Sequence, residues 1–335
     1  YATNCMKFCN FVSEMEILIY DKAMPLEGLA VATIGVFDGV HRGHRFVFEQ
    51  LADKARERKL ISTVITFDRH PLSVVCPDKC PPLLTTLDER LQLLCATGVQ
   101  RCVVLPFTEE MAGLAACDFM LLMRQQLGVK LLLTGYDNRF GHDRSAGFSD
   151  YVRYGQEMDM DVEALEPCNI TEEDCPVSSS MVRRLLADGA LDKVHHCLGR
   201  DYSLEGQVVS GEQIGMKIGY PTANLSPDTH KLLPKAGVYA VWATIGVDGP
   251  TLPAMMNIGH CPTFGGRPTT LEVHLFDYNG NLYGQTVRVR FVGRLRDEQR
   301  FADASALKAQ LAKDQSDALQ VLRADAEAQE TVCGK

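Results

Sequence analysis

The stretch "TIGVFDGVHRGHRFVFEQL", residues 33–51, opens as an apolar, β-branched strand and closes as an amphipathic helix, with His41, Gly43 and His44 at the junction. A strand running through a glycine-containing turn directly into a helix is the repeating unit of an α/β sheet. The same alternation continues on both sides of it. "LAVATIGV" (29–36), "LISTVITF" (60–67), "RCVVLPF" (101–107), "VKLLLTG" (129–135) and "MDVEALEP" (160–167) read as strands, four of them apolar enough for burial on both faces. "RGHRFVFEQLADKARERK" (42–59), "TLDERLQLLCATG" (86–98), "ACDFMLLMRQQLG" (116–128) and "FSDYVRYGQEM" (148–158) read as helices with one apolar stripe each. Strict alternation predicts a parallel sheet covered by helices on both faces, with ligands bound beyond the carboxyl ends of the strands, where His41 and His44 fall.

The rhythm changes after the helical "SSSMVRRLLADGALDKVHHCLGR" (178–200). "YSLEGQVVSG" (202–211), "GVYAVWATIG" (237–246), "LPAMMNIG" (252–259), "TTLEVHLFD" (269–277) and "QTVRVRFVGRLR" (285–296) are short strands separated by Gly, Pro and Asp-Gly turns. They predict an antiparallel sheet or barrel, followed by a helix over 303–328. The expected organisation is residues 1–27 as a leader and first strand, 28–198 as an α/β domain and 199–335 as a β-barrel domain with a terminal helix.

Composition narrows the functional classes. A net charge of −9 lacks the basic face that nucleic-acid binding requires, and no apolar run reaches the roughly 20 residues of a membrane helix. The first residues lack the basic start and apolar centre of a secretion signal, so a cytoplasmic protein is expected, with no nucleic-acid or membrane partner; a homo-oligomer is compatible with this. The 12 cysteines are scattered through apolar segments, as reduced buried thiols are. His70, Cys76 and Cys80 lack the spacing and the second ligand pair of a zinc site.

Residues three apart share a helix face, so His41 and His44 can converge on one ligand, and Gly43 allows a close backbone approach. A helix N-terminus favours phosphate, and imidazole donors there would stabilise charge on a phosphoryl group in transfer. The bland alternative is a pair of surface histidines beside a turn.

"GVFDGVHRGH" resembles the first signature of the nucleotidyltransferases, and "PVSSSMVRRLL" (176–186) resembles their second. "TFDRHP" (66–71) and "LTGYDNRFGHDRSAG" (133–147) are similar to elements of the bacterial bifunctional riboflavin kinase/FMN adenylyltransferase family, the prokaryotic FAD synthetases. "GMKIGYPTANL" (215–225), "MNIGHCPTFGG" (256–266) and Glu-x-His in "TTLEVHLFD" resemble the kinase elements of the same family. Asn138 and Met216 depart from it, standing where Phe and Arg are usual.

The resemblance implies a Rossmann-like nucleotidyltransferase domain and a kinase barrel, which use ATP with Mg²⁺ and convert riboflavin to FMN and FMN to FAD. In the first domain it implies catalytic roles for His41, His44 and Arg183, and nucleotide contacts from Gly35, Phe37, Asp38, Gly43, Ser178, Ser179 and Ser180. It also implies flavin contacts from His70, Asp137, Arg139 and Phe140 there, and from Asn257 in the barrel. Gly215, Gly219 and Pro221 would contact the second nucleotide, while Thr222 and Asn224 offer hard oxygen ligands for Mg²⁺. Strand alternation puts Glu272 and His274 on the face opposite Leu271, Val273 and Leu275, which suits Glu272 as the base for a hydroxyl nucleophile. Two other readings are a nucleotidyltransferase for another metabolite with a flavin-sensing barrel, and a non-catalytic flavin-binding protein.

Overall fold

The computed structural model describes residues 15–333 except Met24, Asp137, 143–144, Asn169, 173–174, 212–214, 216–218, Thr229 and 260–268. The chain packs as two compact units, Tyr1–Ser179 and Ser180–Lys335.

In the first unit, β1 (Glu16–Ile19), β2 (Ala30–Ile34), β3 (Ile61–Phe67), β4 (Arg101–Leu105), β5 (Val129–Thr134) and β6 (Asp161–Ala164) form one sheet in the order β1-β4-β3-β2-β5-β6. Every pairing is parallel, as strand–helix alternation requires. Successive residues of a strand face opposite sides, and the two cores sort accordingly. Val31, Cys102, Val104, Leu131 and Leu133 pack with Phe48, Leu51 and Ala55 of α1 (Arg42–Arg58) and Leu94 of α3 (Leu87–Cys95). Ala32, Val103, Leu105 and Leu132 pack with Phe119, Met120 and Met123 of α5 (Ala116–Gln126) and Tyr151 of α6 (Phe148–Glu157). Two one-turn helices, α2 (Leu72–Val75) and α4 (Glu109–Ala112), and the hairpin β7 (Thr171–Glu172)–β8 (Cys175–Pro176) add to the pattern read from the sequence. Since β3 lies on one side of β2 and β5 on the other, the strand order reverses at β2, and the loop that follows carries His41 and His44.

The second unit opens at Ser180, within α7 (Ser179–Asp188), and continues with α8 (Leu191–Leu198). Six strands follow: β9 (Ser203–Val209), β10 (Ala223–Pro227), β11 (Gly237–Ile245), β12 (Thr251–Gly259), β13 (Thr270–Leu275) and β14 (Thr286–Arg296). They close a barrel in the order β10-β13-β12-β11-β14-β9, antiparallel throughout. Closure leaves no unpaired edge. The last helix, α9 (Ala304–Cys333), lays Ala318 and Leu322 on Ala240, Met255 and Phe276 of the barrel's outer face. Arg296 of β14 grips the buried Asp314 of α9 through three contacts of 2.7–3.1 Å.

The division between the units falls two helices before the break expected after Leu198. Contacts that sequence periodicity does not carry explain the difference: Lys235 N donates to Leu186 O at 3.0 Å, and Gly189 lies against the Arg294 side chain.

Candidate active sites

The loop after β2 is tightly wound. Phe37, Gly39 and Val40 have φ of +51°, +84° and +40°, a region that β-branched and bulky residues rarely occupy and that surrounding contacts must hold. Asp38 supplies the hold. Its carboxylate, 3% exposed, accepts from Leu84 N (3.0 and 2.9 Å), Thr85 N (2.9 Å) and Thr85 Oγ1 (3.0 Å). Thr85 Oγ1 in turn accepts from Gly39 N at 3.0 Å, and Asp38 O accepts from Ser179 Oγ at 2.8 Å. Asp38, expected as a nucleotide contact, braces the loop through these bonds. Phe37 packs edge-on to Phe48 within the core, and a Cβ on Gly35 would lie 3.0–3.3 Å from its ring.

At the start of α1, His41 is the N-cap, its Nδ1 accepting from His44 N at 3.3 Å. That leaves Nε2 as the protonated nitrogen of a neutral His41. The two imidazoles are stacked, with centroids 3.5 Å apart and planes 22° apart, and His44 also meets the Phe37 ring edge-on. Although the residue is only half-buried overall, His44 Nδ1 is buried and has no hydrogen-bond partner among the described residues. Burial, then His41, then Arg90 hold the His44 pKa well below 6.5, so the ring is neutral near pH 7. The pair therefore offers neutral imidazole rather than two cations. Gly43 answers to protein packing: a Cβ there would lie 3.1 Å from His41 Nδ1 and 3.2 Å from Val177 O.

Arg90, which the motifs do not include, lies close by. It is 3% exposed, and its Nη1 donates to Val36 O at 2.8 Å while Nη2 donates to Phe67 O. The available signal was its register: Arg90 and Leu94 are four apart and both buried on α3, so a charge occupies a core-facing position.

The remaining positions of this half are spread along the strand ends. His70 accepts from Leu72 N at 3.1 Å in the turn into α2. Arg139 is exposed and donates to Tyr136 O and Asn138 O, and Phe140 stacks on Tyr151 at 4.0 Å with planes 10° apart. Asn138 turns its amide to Thr134 Oγ1 at 3.1 Å, whereas Asp137 lies outside the described residues. Ser178 precedes α7 and Ser179 opens it, both in the first unit, whereas Ser180 and Arg183, further along α7, belong to the second.

In the barrel, strand register assembles the second constellation. Asn224 of β10 stands opposite Glu272 of β13, and Glu272 stands opposite Asn257 of β12. Directly opposed residues share a sheet face, so the three form a polar row across three neighbouring strands. All three are half-buried, while Leu271, Val273 and Leu275 are buried on the other face. Thr222 Oγ1 lies 3.5 Å from Glu272 Oε2. A Cβ on Gly211 would overlap the Asn224 amide, and one on Gly215 would overlap Tyr220 O, so both glycines are set by close packing; Gly219 has φ +86°. His274, 8% exposed, meets Pro221 O through Nδ1 at 2.7 Å. A carbonyl can only accept, so Nδ1 carries the proton, and His274 positions the Pro221–Thr222 turn. Thr222 and Pro221 also line a cavity of about 340 Å³ with Val208, Val273, Leu275 and the 278–283 segment, within the size range of small-ligand sites.

A family model described as FAD synthetase matches residues 25–181, and one described as riboflavin kinase matches 198–322. The Escherichia coli K12 bifunctional riboflavin kinase/FMN adenylyltransferase is 39% identical over 292 residues, covering 87% of this chain and 92% of its own. The Bacillus subtilis protein of the same name is 32% identical over 302 residues, again covering 87% and 92%. The chain belongs to the bifunctional riboflavin kinase/FMN adenylyltransferase family. It phosphorylates riboflavin to FMN with ATP, and adenylylates FMN to FAD with release of pyrophosphate. The kinase match argues against a barrel that only senses flavin, and the two bifunctional relatives argue against a non-catalytic flavin-binding protein.

The fold of this bifunctional enzyme also matches a crystal structure from Streptococcus pneumoniae described as a macrolide-efflux protein. That match has a TM-score of 0.78 at 29% identity, covering 90% of this chain and 97% of that one. Among the described residues of the bifunctional enzyme, no helix is long and apolar enough to cross a membrane, and no three His, Cys, Asp or Glu side chains cluster as metal ligands.

Proposed function

We propose that the barrel phosphorylates riboflavin with Glu272 as base, and that the α/β unit adenylylates FMN at the His41–His44 turn. The observation that carries this reading is the Asn224–Glu272–Asn257 row with Thr222 at its side: a carboxylate flanked by amide and hydroxyl groups on a rigid sheet. Glu272 would take the proton of the ribityl 5′-hydroxyl as that oxygen attacks the γ-phosphorus of ATP, and ADP would leave. The cavity beside Thr222 would take the nucleoside end of ATP, its lining being apolar apart from Thr222 and the 278–283 segment. Thr222 and Asn224, with hard oxygens, suit Mg²⁺, which when bound neutralises charge on the transferring phosphates. Asn257 would orient the flavin.

In the other reaction a phosphate oxygen of FMN attacks the α-phosphorus of ATP and pyrophosphate departs. The nucleophile is already an anion and needs no base, so the work is positioning and charge stabilisation. His41 through Nε2–H, neutral His44 and the amides at the start of α1 would face the phosphates, with Arg183 as the cation. His70, Arg139 and Phe140 are read as flavin contacts. The adenylyltransferase domain would run over 28–198 and the kinase over 199–335. The negative net charge supports an enzyme without nucleic-acid partners, and a cytoplasmic location remains the reading of its sequence.

The test pairs two full-length variants followed by chromatography of riboflavin, FMN and FAD. Glu272→Gln should lose about 10²-fold or more in riboflavin phosphorylation and still turn supplied FMN into FAD. His44→Ala should do the reverse, losing about 10²-fold in FAD formation. Mixing them should restore conversion of riboflavin to FAD after a lag. Equal loss of both activities in either variant would refute the division of labour.

A further inference from the structure

We propose that Arg90 is a positioning residue of the adenylyltransferase site, pinning the carboxyl ends of β2 and β3 together and presenting a fixed positive charge to His44. The inference rests on the reading of the His41–His44 turn as the phosphate-facing element, and it adds a residue that neither signature contains.

Two features of the guanidinium carry it. First, its hydrogen bonds run to Val36 O, directly beyond β2, and to Phe67 O, the last residue of β3. From those two points the chain continues into the His41–His44 turn and into the Asp68–His70 turn. Val36 O also accepts from Thr66 Oγ1 at 3.2 Å, so this carbonyl is fixed from two directions. One rigid planar fork thus sets the spacing of both turns, as Lys, with a single ammonium on a flexible stem, would not. Second, the charge is buried, and Arg90 Nε is without a hydrogen-bond partner among the described residues. A fold that needed only to bridge two carbonyls could do so without confining an incompletely paired cation.

The groups around this charge decide what it does. Asp38 in the β2 loop, Asp68 after β3 and Cys102 on β4 are the titratable groups that act on Arg90. The Asp38 carboxylate is engaged by the 84–85 segment, and Asp68 Oδ1 accepts from Phe107 N at 2.8 Å. Burial pushes the Cys102 thiol up to about 12, so it stays neutral. On the helix side His44 feels burial, His41 and Arg90, all disfavouring its protonation. Removing Arg90's charge therefore raises the pH at which His44 protonates. If the neutral ring is the working form, the acid limb of adenylyl transfer must move up in pH with it.

The experiment uses the full-length enzyme and its Arg90→Met and Arg90→Lys variants. The protonation of His44 is read by long-range ¹H–¹⁵N NMR on histidine-labelled protein, with its signals assigned from His44→Gln. FMN adenylylation is measured from pH 5.5 to 9, with riboflavin phosphorylation in the same samples as a control on the barrel. In the parent enzyme His44 should protonate only well below the ordinary 6.5; titration near 6.5 would overturn the charge argument whatever the variants do. Arg90→Met should raise the His44 midpoint and the acid limb together by about one pH unit. Arg90→Lys keeps the charge but not the fork. Its His44 titration should match the parent, and kcat should fall about tenfold or more with little change in KM for ATP. Coincident His44 titrations in parent and Met variant, or unaltered kcat in the Lys variant, would refute the proposal. If Arg90→Met does not fold, the parent titration and the Lys variant still decide it. Activity surviving in His44→Ala would instead refute the reading of the turn, while the NMR midpoints continue to report on Arg90.

Discussion

Asp38 can be separated from a nucleotide ligand by stability. Replacing it with Ala removes the acceptor of Leu84 N, Thr85 N and Thr85 Oγ1 at a place where Asp38, Leu84 and Thr85 are at most 3% exposed. The hydroxyl of Thr85 can rotate, since it already accepts from Gly39 N, so the loss is two buried amide donors without partners. At about 1–3 kcal/mol for each, Asp38→Ala should cost about 2–6 kcal/mol. That is a large share of the roughly 5–15 kcal/mol that holds a domain folded. Asp38→Asn can retain the three bonds made to Oδ1 and turns its amide toward Leu84 N, so about 1–3 kcal/mol is expected. Urea unfolding separates the units conveniently, because the only tryptophan, Trp242, lies on β11 in the barrel. Its fluorescence transition should stay in place in both variants. The far-ultraviolet dichroism transition of the α/β unit should move down by about 1–3 M for Ala at a slope near 2 kcal/mol per M, and less for Asn. An unmoved midpoint combined with a raised KM for ATP would make Asp38 a nucleotide ligand and refute the brace.

Two further expectations concern the barrel. Gly211→Ala should push the Asn224 amide out of the row it forms with Glu272, lowering riboflavin phosphorylation about tenfold or more while FMN adenylylation is unchanged; steady-state kinetics of both reactions would check it. Arg296→Met should leave the buried Asp314 carboxylate with only the Gln310 amide and no cation, destabilising the barrel by about 3–5 kcal/mol in the Trp242 transition. Adding Asp314→Leu should recover most of that loss.

Much of the architecture was legible because its signals are local. Runs of β-branched residues between amphipathic helices specify a parallel sheet, and the alternation in "TTLEVHLFD" put Glu272 and His274 on one face, as the register confirms. What stayed hidden depends on contacts between residues far apart in sequence. Asp38 meets partners 46 and 47 positions away, and Arg90 reaches a carbonyl 54 away, so neither role shows in periodicity. The histidine pair was readable as a pair, but its stacking depends on His41 leaving the helix to cap it. His274 shows the same limit, since its proton is tied up by Pro221 O, 53 residues distant. Membership of α7 and α8 in the second unit depends on Lys235 and Arg294, which no helical pattern announces.

With the sites assigned as proposed, the placement of the carboxylates would explain why two folds serve two phosphoryl chemistries. A phosphate nucleophile approaching ATP is an anion meeting an anion, and a carboxylate facing it would oppose the encounter. In the turn after β2 the acidic side chain is Asp38, buried and engaged by donors from 84–85, while the histidines at the helix start are stacked, with His44 neutral. On the proposed assignment, the loop keeps the brace it needs without facing negative charge toward the phosphates. A hydroxyl nucleophile poses the opposite problem, because its proton must go somewhere as the new bond forms. The barrel supplies a half-buried carboxylate on a strand, with amides on the neighbouring strands to either side and a hydroxyl near one oxygen. On that assignment, exchanging the two settings would defeat both reactions: a braced, buried Asp could not take the ribityl proton, and an outward Glu272 would repel the FMN phosphate.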